Sequence, residues 1–249
     1  MRFTILTIFP ELFSTFLATS LVGRAVDEGL LEVRVADLRE YTDDPHRVVD
    51  DEPYGGGSGM VMKAPPWIRA VEDLSAASTW RVLMSPQGQR LDDRKVQELA
   101  ARPDLLLLCA RYEGVDERVR RAVVDEEVSI GDYVVAGGEV PAMVVLEAVS
   151  RQIPGVVGSA DSVENDSFRD GLLDHPQYTR PRRVGSLEVP EVLLSGDHAA
   201  IRRWRRRESL RNTLEKRPDL LPLASLDDQD EVLLSEVEAE AGARAKLKD

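Results

Sequence analysis

The chain has a single cysteine, Cys109, among its 249 residues. One thiol excludes an internal disulfide framework and fits a reducing compartment. Histidine is nearly as scarce. His46, His175 and His198 are scattered, no spacing resembles a zinc site, and the sequence predicts no metal ligands. Long apolar runs are missing as well. The N-terminal "MRFTILTIFPELF" is too short to span a membrane and lacks a small-residue cleavage site. The expectation is a soluble, cytoplasmic protein with no membrane partner.

Two familiar motifs are also absent. There is no G-x-S-x-G to support Ser/His/Asp chemistry. The glycine run in "DDEPYGGGSGM", Asp50 to Met60, lacks a following "GK[ST]" and does not fit G-x-G-x-x-G. Gly55, Gly56, Gly57 and Gly59 therefore suit something other than a nucleotide triphosphate.

Positive charge is in deficit overall, with 32 Lys and Arg against 45 Asp and Glu and a formal net charge of -13. That argues against non-specific nucleic-acid binding by the whole surface. It leaves room for a local patch, and "AIRRWRRRESLRNTLEKR" supplies one. Six arginines fall between Arg202 and Arg211 against one acid, Glu208. An Arg run is commonly a solvated helix face. Here the arginines surround nearly the whole helix, so Arg202, Arg203, Arg205 and Arg206 are predicted to meet a phosphate-bearing partner. The tail "DDQDEVLLSEVEAEAG" is strongly acidic, and its role is not legible.

A hydrophobic content of 43% is enough for a core. "RFTILTIF" reads as a strand, and Pro10 to about Asp27 as one amphipathic helix with Pro near its start. "LLEVRVADL" alternates as a strand. "WRVLMS" and "DLLLLCA" are short continuous apolar runs, as in strands buried on both faces of a parallel sheet. "DRKVQELAAR" and "PAMVVLEAVSRQI" read as helices. Strand and helix alternate, so the first part is an α/β domain with a mainly parallel sheet. After Ile153 the chain turns polar and loop-like, and beyond that it is helical. Asp197 is the expected N-cap of the Arg-rich helix.

Three further stretches fall after strands: "SPQG", "ARYEG" and "SIGDYVVAGGEVPAM". In the last, Gly131, Gly137 and Gly138 flank an expected short strand. Isolated, each is an ordinary turn. Ligands of open α/β sheets bind at the carboxyl ends of strands, so three such loops predict one pocket. Residue by residue, the pattern describes an α/β enzyme with a Gly-lined pocket and a basic helical appendage.

The motifs go further when taken in order. "TIFPELF", "GRA", "HRVVDDEPYGGGSGM", "SPQG", "ARYEGVDERV", "EEVSIGDYVVAGGEVPAM", "SRQIPGVVG", "DSF", "LLDHPQYTRP" and "VPEVLLSGDHAAIRRWR" occur in one sequence order. From Phe3 to about Pro218 the chain resembles the bacterial tRNA (guanine-N1)-methyltransferase family. The resemblance implies an α/β domain of the SPOUT type with a deep C-terminal trefoil knot, a rare exception to the rule against knots. A smaller helical domain would follow, giving a donor-binding domain at 1–158, a linker at 159–172 and a tRNA-binding domain at 173–249. It implies methyl transfer from S-adenosylmethionine to N1 of the guanine immediately 3′ of the anticodon. The partners would be the tRNA anticodon arm and a second copy of the chain, with the active site shared across the homodimer. Magnesium dependence is implied too, with no dedicated site visible in the sequence.

Carried over residue by residue, the donor site comprises Ser85, Pro86, Ala110, Tyr112, Glu113, Gly114, Ile130, Gly131, Asp132, Tyr133, Val134, Val135, Gly137 and Gly138. Ala110 stands where the family usually has glycine. If that position needs positive φ, alanine costs roughly 1 kcal/mol or more. The glycine loop, Arg24 and Asp50 match positions implied in tRNA binding or catalysis, although Asp50 alone reads as an Asx-turn carboxylate. Asp166 matches the family's base for the N1 proton and Arg151 its stabiliser of charge on O6. Taken alone, Asp166 is a linker N-cap and Arg151 a helix C-terminal cation. Two other readings stay open: a related knotted methyltransferase acting on a ribose 2′-hydroxyl or another base, and a non-catalytic RNA-binding protein.

Overall fold

The protein is described from a computed structural model. The structure describes residues 1–158 and 166–246, so residues 159–165 of the expected linker lie outside it. The chain divides into two compact units, Met1–Ala160 and Asp161–Asp249.

The first unit is built on five parallel strands: β1 (Arg2–Thr7), β2 (Glu32–Asp37), β5 (Trp80–Arg90), β6 (Asp104–Cys109) and β7 (Glu126–Ser129), in the order β2-β1-β6-β5-β7. A small antiparallel pair, β3 (Asp50–Asp51) and β4 (Val61–Met62), flanks the glycine loop. The apolar runs explain the sheet. All six residues of β6 are buried. Alternate residues feed two cores: Phe3, Ile5, Leu105 and Leu107 enter one, and Leu6, Leu83, Leu106 and Leu108 the other. Both faces are covered, as parallel sheets require. Helices α2 (Ser20–Asp27), α4 (Asp93–Ala100) and α6 (Glu139–Ser150) contribute to the first core, and α3 (Ala64–Leu74) and α5 (Glu117–Val123) to the second.

The single helix expected from Pro10 to Asp27 is in fact three pieces. A 3-10 turn, Pro10–Phe13, leads into the short α1 (Ser14–Leu17) before α2 begins. Thr19 is extended and Ser20 sits at φ 61°, which breaks the helix. Gly23 permits the break, since a Cβ there would lie 2.7 Å from the Ala18 carbonyl carbon. β5 runs past the expected "WRVLMS" through Arg90, so "SPQG" is no separate loop. Its pairing with β7 shifts register between Met84 and Gln89, making Ser85–Gly88 a bulge. The short strand expected between Gly131 and Gly137 is a loop, touched by one isolated bridge from Arg111 to Gly137.

Among its described residues, the second unit is mainly helical and carries the hairpin of β8 (Arg183–Val184) and β9 (Leu187–Glu188). Its two long helices are α7 (His198–Lys216) and α8 (Asp228–Lys246). Asp197 caps α7 as expected, accepting from the Ala199 and Ala200 amides. The acidic tail forms α8 and packs along α7, burying Leu172, Leu210 and Leu233.

Candidate active site

The carboxyl ends of β5, β6 and β7 open into one cavity of about 270 Å³. Among the predicted donor residues it is lined by Ser85, Pro86, Ala110, Tyr112, Glu113, Gly114, Ile130, Tyr133, Val134, Val135, Gly137 and Gly138. Gly131 and Asp132 are not part of the lining. They shape the loop instead. Gly131 has φ 152°, and a Cβ there would sit 2.5 Å from the Tyr133 ring.

Two of these glycines are required by the protein's own packing. A Cβ on Gly138 would fall 2.6 Å from the Cys109 Cα, and one on Gly137 would fall 2.2 Å from Arg111 Nε. The protein's own backbone and side chain occupy the space, so the β6 loop and the start of α6 lie against each other. The Gly138 amide donates to the Ala110 carbonyl at 2.8 Å. Ala110 carries no strain, because the non-glycine residues at positive φ are Ser20, Arg47, Tyr112 and Phe168. The left-handed position in this loop belongs to Tyr112, at φ 59°. Such strain, roughly 1–2 kcal/mol, is a common feature of ligand loops.

A buried polar chain fixes the cavity wall, and sequence reasoning missed it. Glu139 is fully buried at the first turn of α6, where the helix dipole favours its charge. Its Oε2 accepts from Arg111 Nε at 2.8 Å and its Oε1 from the Thr7 hydroxyl at 2.7 Å. The Arg111 guanidinium also lies over the Phe9 ring, 4.7 Å from its centre. β1, the β6 loop and α6 are thereby tied together. Cys109 is buried beside this chain, and burial, aided by the Glu139 charge, pushes its thiol well above the ordinary value. The residues were visible as "RYEG" and "GGE"; their pairing across 28 positions was not.

The glycine loop reaches the same rim. Gly55, Gly56, Gly57 and Gly59 have φ values of 89°, 76°, 127° and 87°, which any side chain would oppose. A Cβ on the first three would meet nothing within 4 Å, so that part of the loop stands in open space. Its outgoing arm is pinned beside the predicted donor residues Glu113 and Gly114. The Glu113 amide donates to the Met60 carbonyl at 3.0 Å and the Met62 amide to the Gly114 carbonyl at 2.9 Å. Asp50 lies in β3, paired with Met62. Arg24 donates to the Val156 carbonyl and lies 3.7 Å from Glu28, so within the unit it holds the chain after α6.

Arg151 is the C-cap of α6, as a helix-terminal cation would be. Asp166 lies in the second unit and lines a cavity of about 620 Å³ with Arg202, Arg205 and Arg206. The Arg-rich helix is less uniform than its sequence. Four of its arginines meet carboxylates of the chain itself. Arg203 pairs with Glu236, Arg207 with Glu236 and Glu240, and Arg211 with Glu208 and Glu240. Arg206 pairs with Asp170 and with Asp230, the latter at 2.7 Å. That contact raises the Arg206 pKa and holds the Asp230 carboxyl below its usual range. Among the described residues, no carboxylate pairs with Arg202 or Arg205. The i, i+4 spacing of Arg203, Arg207 and Arg211, matched by Glu236 and Glu240, was the available signal.

These features define a parallel α/β protein with a ligand cavity at its strand ends and a helical unit attached. The sequence matches the family described as tRNA (Guanine-1)-methyltransferase TrmD over residues 1–223. A tRNA (guanine-N(1)-)-methyltransferase of Moorella thermoacetica is 52% identical over 248 residues, covering 98% of this chain and 99% of the relative. One from Dictyoglomus turgidum is 50% identical, covering 96% and 98%, and one from Frankia alni 51%, covering 96% and 92%. The chain belongs to the tRNA (guanine-1)-methyltransferase family.

Proposed function

We propose that the protein transfers a methyl group from S-adenosylmethionine to N1 of the guanine immediately 3′ of the anticodon in tRNA. The observation that carries this reading is the convergence of the three predicted strand-end segments on one cavity, in a chain of this family. The lining fits the donor. Leu83, Ile130, Val135 and Pro141 offer apolar contact for a purine, and Glu113 offers a negative charge toward a cationic sulfonium or ammonium. When bound, S-adenosylmethionine supplies a methyl group already activated by its positive sulfur.

The remaining work falls to the chain. N1 of guanine carries a proton, and Asp166 accepts it. Negative charge grows on O6 as that proton leaves, and Arg151 stabilises it. The glycine loop admits a base extruded from its stack, with Arg24 and Asp50 on the substrate side. Unit Met1–Ala160 binds the donor through a trefoil-knotted C-terminal part, and unit Asp161–Asp249 grips the tRNA. A second copy of the chain completes each site by contributing its Asp166. Val140 and Val144, 57% and 41% exposed and one turn apart on α6, support a covered face there. Among the described residues no group of His, Cys, Asp and Glu is placed to hold a metal ion.

The test is to incubate the protein with labelled S-adenosylmethionine and an unmodified tRNA transcript and to map the product. Methylation at N1 of that guanine is expected. A methyl on a ribose, which blocks alkaline cleavage, would overturn the reading, as would tRNA binding with no transfer.

A further inference from the structure

A second cavity of about 510 Å³ lies wholly within the helical unit, between the segment after Leu173, the β8–β9 hairpin and α7. Its size falls in the roughly 300–1,000 Å³ range of small-molecule sites. Its chemistry is unusual for a chain of net charge -13. Trp204 forms the floor, with His175 and Tyr178 tilted against it at ring-centre distances of 6.4 and 6.2 Å. Arg180, Arg182 and Arg205 line the walls, and no carboxylate of the described residues does so. Arg182 is paired with Glu191; no carboxylate among the described residues pairs with Arg180 or Arg205. The neighbouring cavity, on the Asp166 side, is lined by Asp166, Asp170 and Asp174 as well as arginines. The lining of this groove among the described residues is thus aromatic, apolar and cationic, while that of its neighbour is mixed in charge.

Aromatic faces beside unneutralised guanidinium groups are the recognition chemistry of single-stranded nucleic acid. Rings stack on any base, and cations take the flanking phosphates. Tyr178 is 48% exposed, so part of its surface remains free to stack. We infer that this groove binds one unpaired nucleotide of the RNA substrate, its base against Trp204 and Tyr178 and its phosphates against Arg180 and Arg205. The inference rests on the reading that the substrate is RNA, and it adds a contact made by residues other than those of the methyl-donor cavity.

The test uses the full-length protein and unmodified tRNA, with Tyr178→Ala, Tyr178→Phe and Trp204→Leu. Tyr178→Ala should weaken tRNA binding roughly tenfold, the scale of one stacked base. Tyr178→Phe should restore it, while donor binding and melting temperature stay at wild-type values. Trp204→Leu should weaken binding at least as much, and Tyr178→Ala carries the test if that protein does not fold. A six-nucleotide single-stranded RNA should quench wild-type tryptophan fluorescence at concentrations where adenosine monophosphate does not. Quenching by the mononucleotide at the same concentration would assign the groove to a free nucleotide and overturn the proposal. So would wild-type tRNA affinity in folded Tyr178→Ala. Wild-type protein that binds tRNA through these residues but transfers no methyl would overturn the proposed function and leave the groove assignment standing.

Discussion

In the unit Met1–Ala160, two apolar cores bury Phe3, Ile5, Trp67, Leu83 and the whole of β6 on either side of a sheet. In the unit Asp161–Asp249, the apolar cluster has three buried leucines, Leu172, Leu210 and Leu233, and the helices are laced by arginine–carboxylate pairs. The first unit is held mainly by burial of apolar surface, which carries no charge to be screened or titrated. The second relies on charges in partial contact with water, each worth little alone and exposed to both. The division suits the proposed chemistry. A donor cavity needs walls that do not move, and a surface that meets RNA needs guanidinium groups held at hand. The ion pairs also sort the arginines: those facing α8 build the unit, and Arg202 and Arg205 are the ones proposed to meet phosphate.

The largest effect is expected where the helical unit is proposed to do chemistry. Asp166→Asn keeps the shape and removes the base, and should lower transfer by about 10²–10⁴-fold. Donor binding, measured by calorimetry, should not change, because the cavity belongs to the other unit. Turnover at the wild-type rate would erase the assignment.

The next effect breaks the first unit from inside. Glu139→Ala leaves the Arg111 guanidinium without its buried partner and should cost about 3–5 kcal/mol of stability. Glu139→Gln retains the shape and the Thr7 contact and should cost less. Donor affinity should fall in both, since Arg111 and Gly137 then lose their register. Equal melting temperatures for Glu139→Ala and wild type would show that the chain bears no load.

A smaller effect separates the units. Arg206→Gln should loosen α7 and α8 by about 2 kcal/mol, the scale of a charged hydrogen bond. Hydrogen exchange should speed in those helices and stay slow in β6. Acid should do the same. The Asp230 pKa is depressed in the folded state by Arg206, so its contribution is present above the unfolded value of about 3.9 and is lost as pH falls further. Exchange that accelerates first in β6 below pH 4 would contradict the comparison.

The smallest effect is a slope. Arg202→Gln with Arg205→Gln should reduce the log–log salt dependence of tRNA binding by about two, one per lost phosphate contact. Arg203→Gln with Arg207→Gln should reduce it less, because those cations already face Glu236 and Glu240. Equal slopes for the two pairs would mean that the ion pairs open on binding.

The sequence by itself determined the parallel sheet, because runs such as "DLLLLCA" cannot be half-exposed, and it placed Asp197 at the start of α7, because a cap needs only its own next residues. Motif order was enough to point to the family, and most of the predicted donor residues do line one cavity. Tertiary structure alone decided what those residues lean on. The Thr7–Glu139–Arg111 chain joins positions 132 and 28 apart in sequence, and no local pattern encodes such pairings. The helix expected across Pro10 to Asp27 has the right periodicity, yet close packing of Gly23 on Ala18 splits it. The arginine run looked uniform because a sequence shows charge without facing. Which guanidinium groups are paired within the chain was settled only when α8 laid its carboxylates along one side of α7, a choice made by packing at long range.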